Sequence, residues 1–234
     1  MKNLYLHQHM GLGDQIICNA ITRHYSKLYK SVFLFVHERN IPSVSFMYRD
    51  LKNLKFIPLK EGSNWNDEMN FINSFKLINR SDDHMEIGFN YLNNSSLTFD
   101  KAFYEQIKIP FEKRFEEFYV KRDFEAEKTL FNKLNIKEKE YILVCNLASS
   151  GILDINFLKH TKYPDAKIVY LEKLTNTIFD WIYTGINALE IHSVDSAFSI
   201  MIDSFQLNND LYLYTVRSAD NYAFLKNDWK ILIK

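Results

Sequence analysis

The chain has 234 residues, 47% of them hydrophobic, with 29 Lys and Arg balanced by 29 Asp and Glu. That length suits one large domain or two small ones with a real core, and the balanced charge excludes a global field that would draw nucleic acid or an anionic membrane. Cys18 and Cys145 lack metal or redox spacing and read as buried free thiols of a reducing compartment. The opening MKNLYLHQHMG is too short and too quickly polar for a signal peptide, and no apolar run reaches the length of a membrane span, so a cytoplasmic location is expected.

In chain order, NLYLH (3–7) and SVFLFVH (31–37) are short apolar runs bounded by polar residues and read as buried strands. Between them Ile17, Ile21, His24 and Leu28 recur at helical spacing, giving a strand, a glycine turn, a helix and a strand: a βαβ unit. The pattern predicts a helix over 41–50, a strand over 54–58, a helix over 65–77 and a strand over 85–89. Residues 100–134 are charged, aromatic and mostly helical in pattern, broken at Pro110. A second alternating set follows. It has strands at 141–146, 166–172, 189–192, 211–216 and 229–234, and helices at 176–188 and 194–206. The polar NIKEKE near residue 135 marks the expected boundary, dividing an N-terminal domain (1–135) from a C-terminal one (136–234). The expected fold class is therefore α/β, with two small Rossmann-like domains facing a cleft. Such sheets place ligands beyond the carboxyl ends of their strands, here residues 8–15 and 37–40 in the first half and 146–151, 172–175 and 192–196 in the second.

The turn Gly11-Leu12-Gly13-Asp14-Gln15-Ile16 is the most informative stretch. A dinucleotide fingerprint wants a third glycine where Ile16 stands, although Glu38 supplies an acid after the second strand. A methyl-donor site could use Gly11, Gly13 and Glu38 in the same way, and a tight turn needing only backbone freedom is the plain alternative. Asp14 tips the balance. It lies at or beside a helix N-cap, where a carboxylate is stabilised. There it would repel a diphosphate but could accept a proton from a sugar hydroxyl.

These residues resemble the first loop of GT-B-fold glycosyltransferases. Gly11, Leu12, Gly13 and Asp14 are similar to the small-residue–Leu–Gly–Asp turn of heptosyltransferases. Gly11, Gly13 and Gln15 are similar to the G-x-G-x-Q of certain fucosyltransferases. ALEIHSVDSAFSIMID (188–203) resembles the donor-binding segment of the same superfamily, with Asp195 and Ser196 at the matching Asp-Ser. Where the heptosyltransferase pattern continues with Gly-Pro and a His, this chain has Ala197, Phe198 and Ser199. The resemblance implies a compact GT-B-like enzyme moving a sugar from a nucleotide-sugar substrate to a glycan or other hydroxyl acceptor; inversion is expected because one base and one displacement suffice. The donor would lie on the C-terminal domain, the acceptor on the N-terminal one, and Asp14 would be the base. Two rivals remain: an NAD- or S-adenosylmethionine-dependent Rossmann enzyme, and a degenerate glycosyltransferase that only binds a glycan or a partner. Oligomeric state is left open.

Other candidates carry both a structural and a functional reading. Ser193 suits an N-cap for the 194–206 helix, with Ser196 capping back, and the same helix end could seat a phosphate. The loop Asn146-Leu147-Ala148-Ser149-Ser150-Gly151 is either a plain turn or a small-residue cradle for a diphosphate. Glu172 and Lys173 could reach ribose and phosphate, and Arg217 is a further cation. His192 sits beside the Asp-Ser motif. His7 and His9 share a face by strict alternation, and His9 is the next base after Asp14. No Asp-x-Asp triplet and no metal-ligand spacing occur; SDD (81–83) reads as a loop. The expectation is a metal-independent enzyme without a resident cofactor.

Overall fold

The computed structural model describes residues 2–60, 62, 64–89, 97–149, 151–215 and 222–233. It falls into two units, Met1–Lys121 and Arg122–Lys234, each continuous in sequence.

The first unit is built on β1 (Asn3–Gln8), α1 (Leu12–Ile17), α2 (Asn19–Leu28), β2 (Ser31–His37), α3 (Ile41–Met47), β3 (Leu54–Leu59), α4 (Trp65–Ile78), β4 (Asp83–Ile87), α5 (Phe99–Gln106) and α6 (Lys113–Glu116). Its four strands are parallel and ordered β3-β2-β1-β4. A parallel strand covered on both faces reads as an unbroken apolar run rather than an alternating one, and the central β1 and β2 have that character. Tyr5, Met10, Phe35, Ile57, Leu59 and Ile72 form one core cluster, with Tyr5 stacked on Phe33 at 4.7 Å between ring centres. The helix expected after the glycine turn is two helices. Cys18 ends α1 and begins α2, and its backbone leaves helical geometry at ψ 9°.

The second unit contains α7 (Phe124–Lys133), β5 (Tyr141–Cys145), β6 (Leu147–Ala148), β7 (Gly151–Ile152), β8 (Lys167–Tyr170), α8 (Ile182–Ile186), β9 (Glu190–Val194), α9 (Ala197–Asp203), β10 (Asp210–Thr215) and β11 (Trp229–Ile233). Its main sheet is parallel and ordered β11-β10-β9-β5-β8. The division after Lys121 differs from the boundary expected near residue 135. The reason is α7: Asp123 caps it by accepting from the Ala126 amide at 3.0 Å, and Phe131 packs edge-on against Tyr141 at 6.0 Å and Tyr183 at 5.1 Å. Those contacts bind the helix to the second unit, although its sequence continues the charged stretch before it. The helix expected over 176–188 is a 3₁₀ turn (Ile178–Trp181) followed by the short α8.

Candidate functional site

In the first sheet the chain runs outward from β1 through β2 to β3, then returns to place β4 on the other side of β1. The reversal makes the carboxyl ends of β1 and β4 the topological switch point, where open α/β sheets bind ligands. His9, Met10 and Gly11 leave β1 there, and Gly88 and Phe89 leave β4. The His9 amide donates to the Ile87 carbonyl at 3.0 Å, which ties the two exits together. Asn40 holds the turn from the other side by donating to the Met10 carbonyl at 3.1 Å.

Gly11 is the N-cap of α1, and Asp14 stands in its first turn. The Asp14 carboxylate folds back over the turn. Its Oδ2 lies 2.7 Å from His9 Nδ1 and would be only 2.6 Å from a Cβ placed on Gly11. A side chain at Gly11 would therefore displace the Asp14 carboxylate from His9, whereas the backbone there, at φ −63°, makes no special demand for glycine. The pair is graded in exposure, His9 at 46% and Asp14 at 17%. Gly13 lies in the same first turn.

Gln15 does not face a ligand. It is buried, its Oε1 accepts from Gln8 Nε2 at 2.6 Å, and its Nε2 donates to the His9 carbonyl at 3.4 Å. This residue is corrected from binding to holding the turn, because a buried amide must place its donors and acceptors inside. Ile16 is buried too. Glu38 is exposed in a 3₁₀ turn after β2.

His7 and His9 do share a face. Both lie against Phe89, His7 stacked at 4.2 Å and His9 tilted at 5.6 Å. His7 is buried, and among the described residues neither of its ring nitrogens has a hydrogen-bond partner. Burial pushes its pKa down to about 4, against the opposing pull of Glu86. It therefore acts as a neutral ring in the floor of the site. Phe89, and Trp65 beyond it at 5.3 Å, escaped the sequence reading. The available signal was the position of Phe89 at the end of the MEIGF run, on the carboxyl edge of a strand.

The second sheet has its own switch point, between β5 and β9, because β8 lies on one side of β5 and β9 to β11 on the other. The exits of these strands meet there, with Cys145 Sγ 3.7 Å from Ser196 Oγ. After β5 the chain forms the β6–β7 hairpin. Ser149 is exposed at its turn, and Gly151 has φ +115°, a region open to glycine and strained for other residues. Ser150 and Arg217 lie outside the described residues. Ser196 is the N-cap of the seven-residue α9, and the Ser199 hydroxyl accepts from the Ser196 amide at 3.0 Å. The Asp195 amide donates to the Tyr214 carbonyl at 3.3 Å. Glu172 and Lys173 are exposed just past β8.

Two expectations on this side are corrected. Ser193 is no N-cap; it lies buried in β9, one turn before the helix opens. His192 is fully buried, with Nε2 3.0 Å from Glu190 and Nδ1 3.0 Å from the Tyr214 hydroxyl. Its ring also stacks on Tyr212 at 4.4 Å. Both nitrogens are spent inside the sheet, so the ring has no hydrogen-bonding atom left for a ligand.

Among the described residues no group of three His, Cys, Asp or Glu could hold a metal ion. Asp82 and Asp83 lie at the amino ends of the strands, away from the switch point; Asp82 accepts from the Asn3 amide at 3.2 Å, and Asp83 pairs with Lys2 at 2.9 Å. No helix among them is long and apolar enough to cross a membrane.

No family model matches the sequence, and no curated protein matches it. Solved structures do match in fold. A glycosyl transferase family 9 protein from Veillonella parvula aligns over 99% of this chain and 87% of its own, with a TM-score of 0.60 and 9% identity. The ADP-heptose lipopolysaccharide heptosyltransferase II of Escherichia coli aligns over 99% and 90%, with a TM-score of 0.54 and 11% identity. The iron-containing dodecameric glycosyltransferase TibC of enterotoxigenic Escherichia coli aligns over 91% and 58%, with a TM-score of 0.56 and 10% identity. The chain thus has the α/β fold of the GT-B-type glycosyltransferases.

Proposed function

We propose that the protein is a glycosyltransferase that moves a sugar from a nucleotide-sugar donor to a hydroxyl of a glycan acceptor. The carrying observation is the His9–Asp14 pair, at 2.7 Å, on the switch point of a sheet whose fold is shared with glycosyltransferases. In this mechanism Asp14 takes the proton of the acceptor hydroxyl. The freed oxygen forms a bond to the anomeric carbon, the bond from that carbon to the donor phosphate breaks, and a nucleoside diphosphate leaves with inversion. His9 holds the carboxylate in place through Nδ1. The donor would lie on the second unit, its phosphates toward Ser149, Gly151 and the Asp195–Ser196 exit, with Glu172 and Lys173 within its reach.

The dinucleotide reading is disfavoured by the same geometry. A diphosphate drawn to Gly11 would meet the Asp14 carboxylate folded over that glycine, and buried Ile16 occupies the place of the third glycine. The transfer is proposed to be metal-independent, with amides, hydroxyls and cations offsetting the leaving diphosphate, in a cytoplasmic enzyme.

A thermal-shift panel of nucleoside diphosphates and nucleotide sugars tests the reading. A ligand bound only by the native state adds about 2.7 kcal/mol of stability at a hundredfold excess over its Kd. At least one member should raise the melting temperature, and transfer with that donor should survive excess chelator. A shift with NAD or S-adenosylmethionine alone would overturn the proposal, and transfer restored only by magnesium or manganese would overturn its metal-independent form.

A further inference from the structure

We infer that Trp65, Phe89 and His9 form a platform on which the acceptor lays a pyranose ring beside Asp14. The assignment of that ring as acceptor rests on the glycosyltransferase reading; the platform itself rests on geometry.

Three rings in successive contact end on the carboxylate. Trp65 packs on Phe89 at 5.3 Å and tilted by 39°, Phe89 lies 5.6 Å from the His9 ring and tilted by 38°, and His9 bonds Asp14 at 2.7 Å. Two of the rings are anchored by their neighbours. Phe89 rests on the buried ring of His7 at 4.2 Å. Trp65 opens α4, whose first turn is fixed where Asn64 accepts from the Asp67 amide at 3.0 Å.

Trp65 is 52% exposed, whereas Trp181 and Trp229 are buried. A half-exposed tryptophan alone is unremarkable. At the head of a ring series that ends on a carboxylate, it makes an apolar face with a polar rim, the composition of a small-molecule subsite. A pyranose ring matches that pattern. One of its faces is largely C–H and packs on aromatic rings, while its edge carries hydroxyls that His9 and Asp14 can bond. A phosphate-rich ligand does not match, because the polar end of the platform is a carboxylate.

The exposure difference among the tryptophans supplies the probe. Methyl α- and β-pyranosides of glucose, galactose, mannose and fucose are titrated into the full chain while tryptophan emission is followed, with open-chain sorbitol as control. At least one pyranoside should give a saturable shift of the long-wavelength emission, and sorbitol none. By calorimetry, Trp65→Ala should weaken that binding roughly tenfold with an unchanged response to nucleoside diphosphate. Trp65→Phe keeps a ring at the position and should retain most of the affinity, which guards against loss through misfolding. Silence to every pyranoside while a nucleoside diphosphate still raises the melting temperature overturns the platform and leaves the transferase reading standing. A pyranoside response without any nucleotide binding supports the platform and overturns the transferase reading. Undiminished affinity in Trp65→Ala overturns the platform.

Discussion

Each unit contains a histidine hydrogen-bonded to a carboxylate at or within a strand of its switch point, and these pairs, His9–Asp14 and Glu190–His192, differ in nearly everything but chemistry. His9–Asp14 spans 2.7 Å at a strand exit, with His9 46% and Asp14 17% exposed. Glu190–His192 spans 3.0 Å inside β9, with both side chains at 0%. The buried pair is complete. Glu190 also accepts from the Thr161 hydroxyl at 2.6 Å and the Lys162 amide at 2.9 Å. The His192 tautomer with its proton on Nε2 satisfies both contacts, with Nε2 donating to Glu190 and Nδ1 accepting from the Tyr214 hydroxyl. Burial lowers the His192 pKa and keeps the ring neutral. Both nitrogens of that ring are answered, and Glu190 fastens the 161–162 segment to the sheet. The His9–Asp14 pair sits at a strand exit that solvent reaches. The lesson is that a His–acid pair becomes a candidate for proton transfer through its place on the fold, and its composition alone does not distinguish the two roles.

The largest effect is expected from breaking the buried pair. Glu190→Ala leaves the Thr161, Lys162 and His192 donors without an acceptor and should cost about 1–3 kcal/mol, read as a lower denaturant midpoint, with remaining activity tracking the folded fraction. Asp14→Asn should do the reverse. Turnover should fall at least about a hundredfold while melting temperature and donor affinity stay near the parent; near-parental turnover would make Asp14 a structural residue. A smaller effect, common to both units, is a dependence of stability on pH. The folded state holds His7 and His192 neutral, whereas the unfolded chain takes up their protons near pH 6.5. Stability is therefore full above that pH and falls as pH drops toward about 4, the folded value for His7, by at most about 1.4 kcal/mol per pH unit per histidine. His7→Phe keeps the stack on Phe89 and should flatten the decline, measured by urea unfolding at stepped pH. The smallest change is in nucleotide affinity. Ser196→Leu should weaken nucleoside diphosphate binding severalfold and Glu38→Ala should not; the opposite result in calorimetry would return the dinucleotide reading to first place.

Much of the architecture is legible in the sequence because parallel strands announce themselves locally. SVFLFVH, YILVC and LYLYT are continuous apolar runs, and each forms a strand. The turn at Gly11 and the acid at Asp14 are also visible, being a few residues apart. What the sequence hides depends on distant partners. EIHSV looks like a polar exit because Glu190 and His192 are satisfied by Thr161 and Tyr214, residues that only the folded sheet brings near. Gln15 looks available until Gln8 closes on it. The His9–Asp14 bond needs the chain to reverse over Gly11, and the Phe89–His9 contact needs β4 to arrive beside β1. Spacing along the chain encodes neither.

The order β3-β2-β1-β4 also has a consequence in time. β1 precedes the other three strands of its sheet in the sequence, yet it occupies the interior and is fully paired only when β4 joins it, in the register Leu4 to Asp83. Pairing with β2 comes early, since Asn3 meets Ser31. Closing the longer loop costs more entropy before contacts repay it. β1 therefore waits for its second neighbour until the longer loop closes, and His9 meets Phe89 only once β4 has joined the sheet.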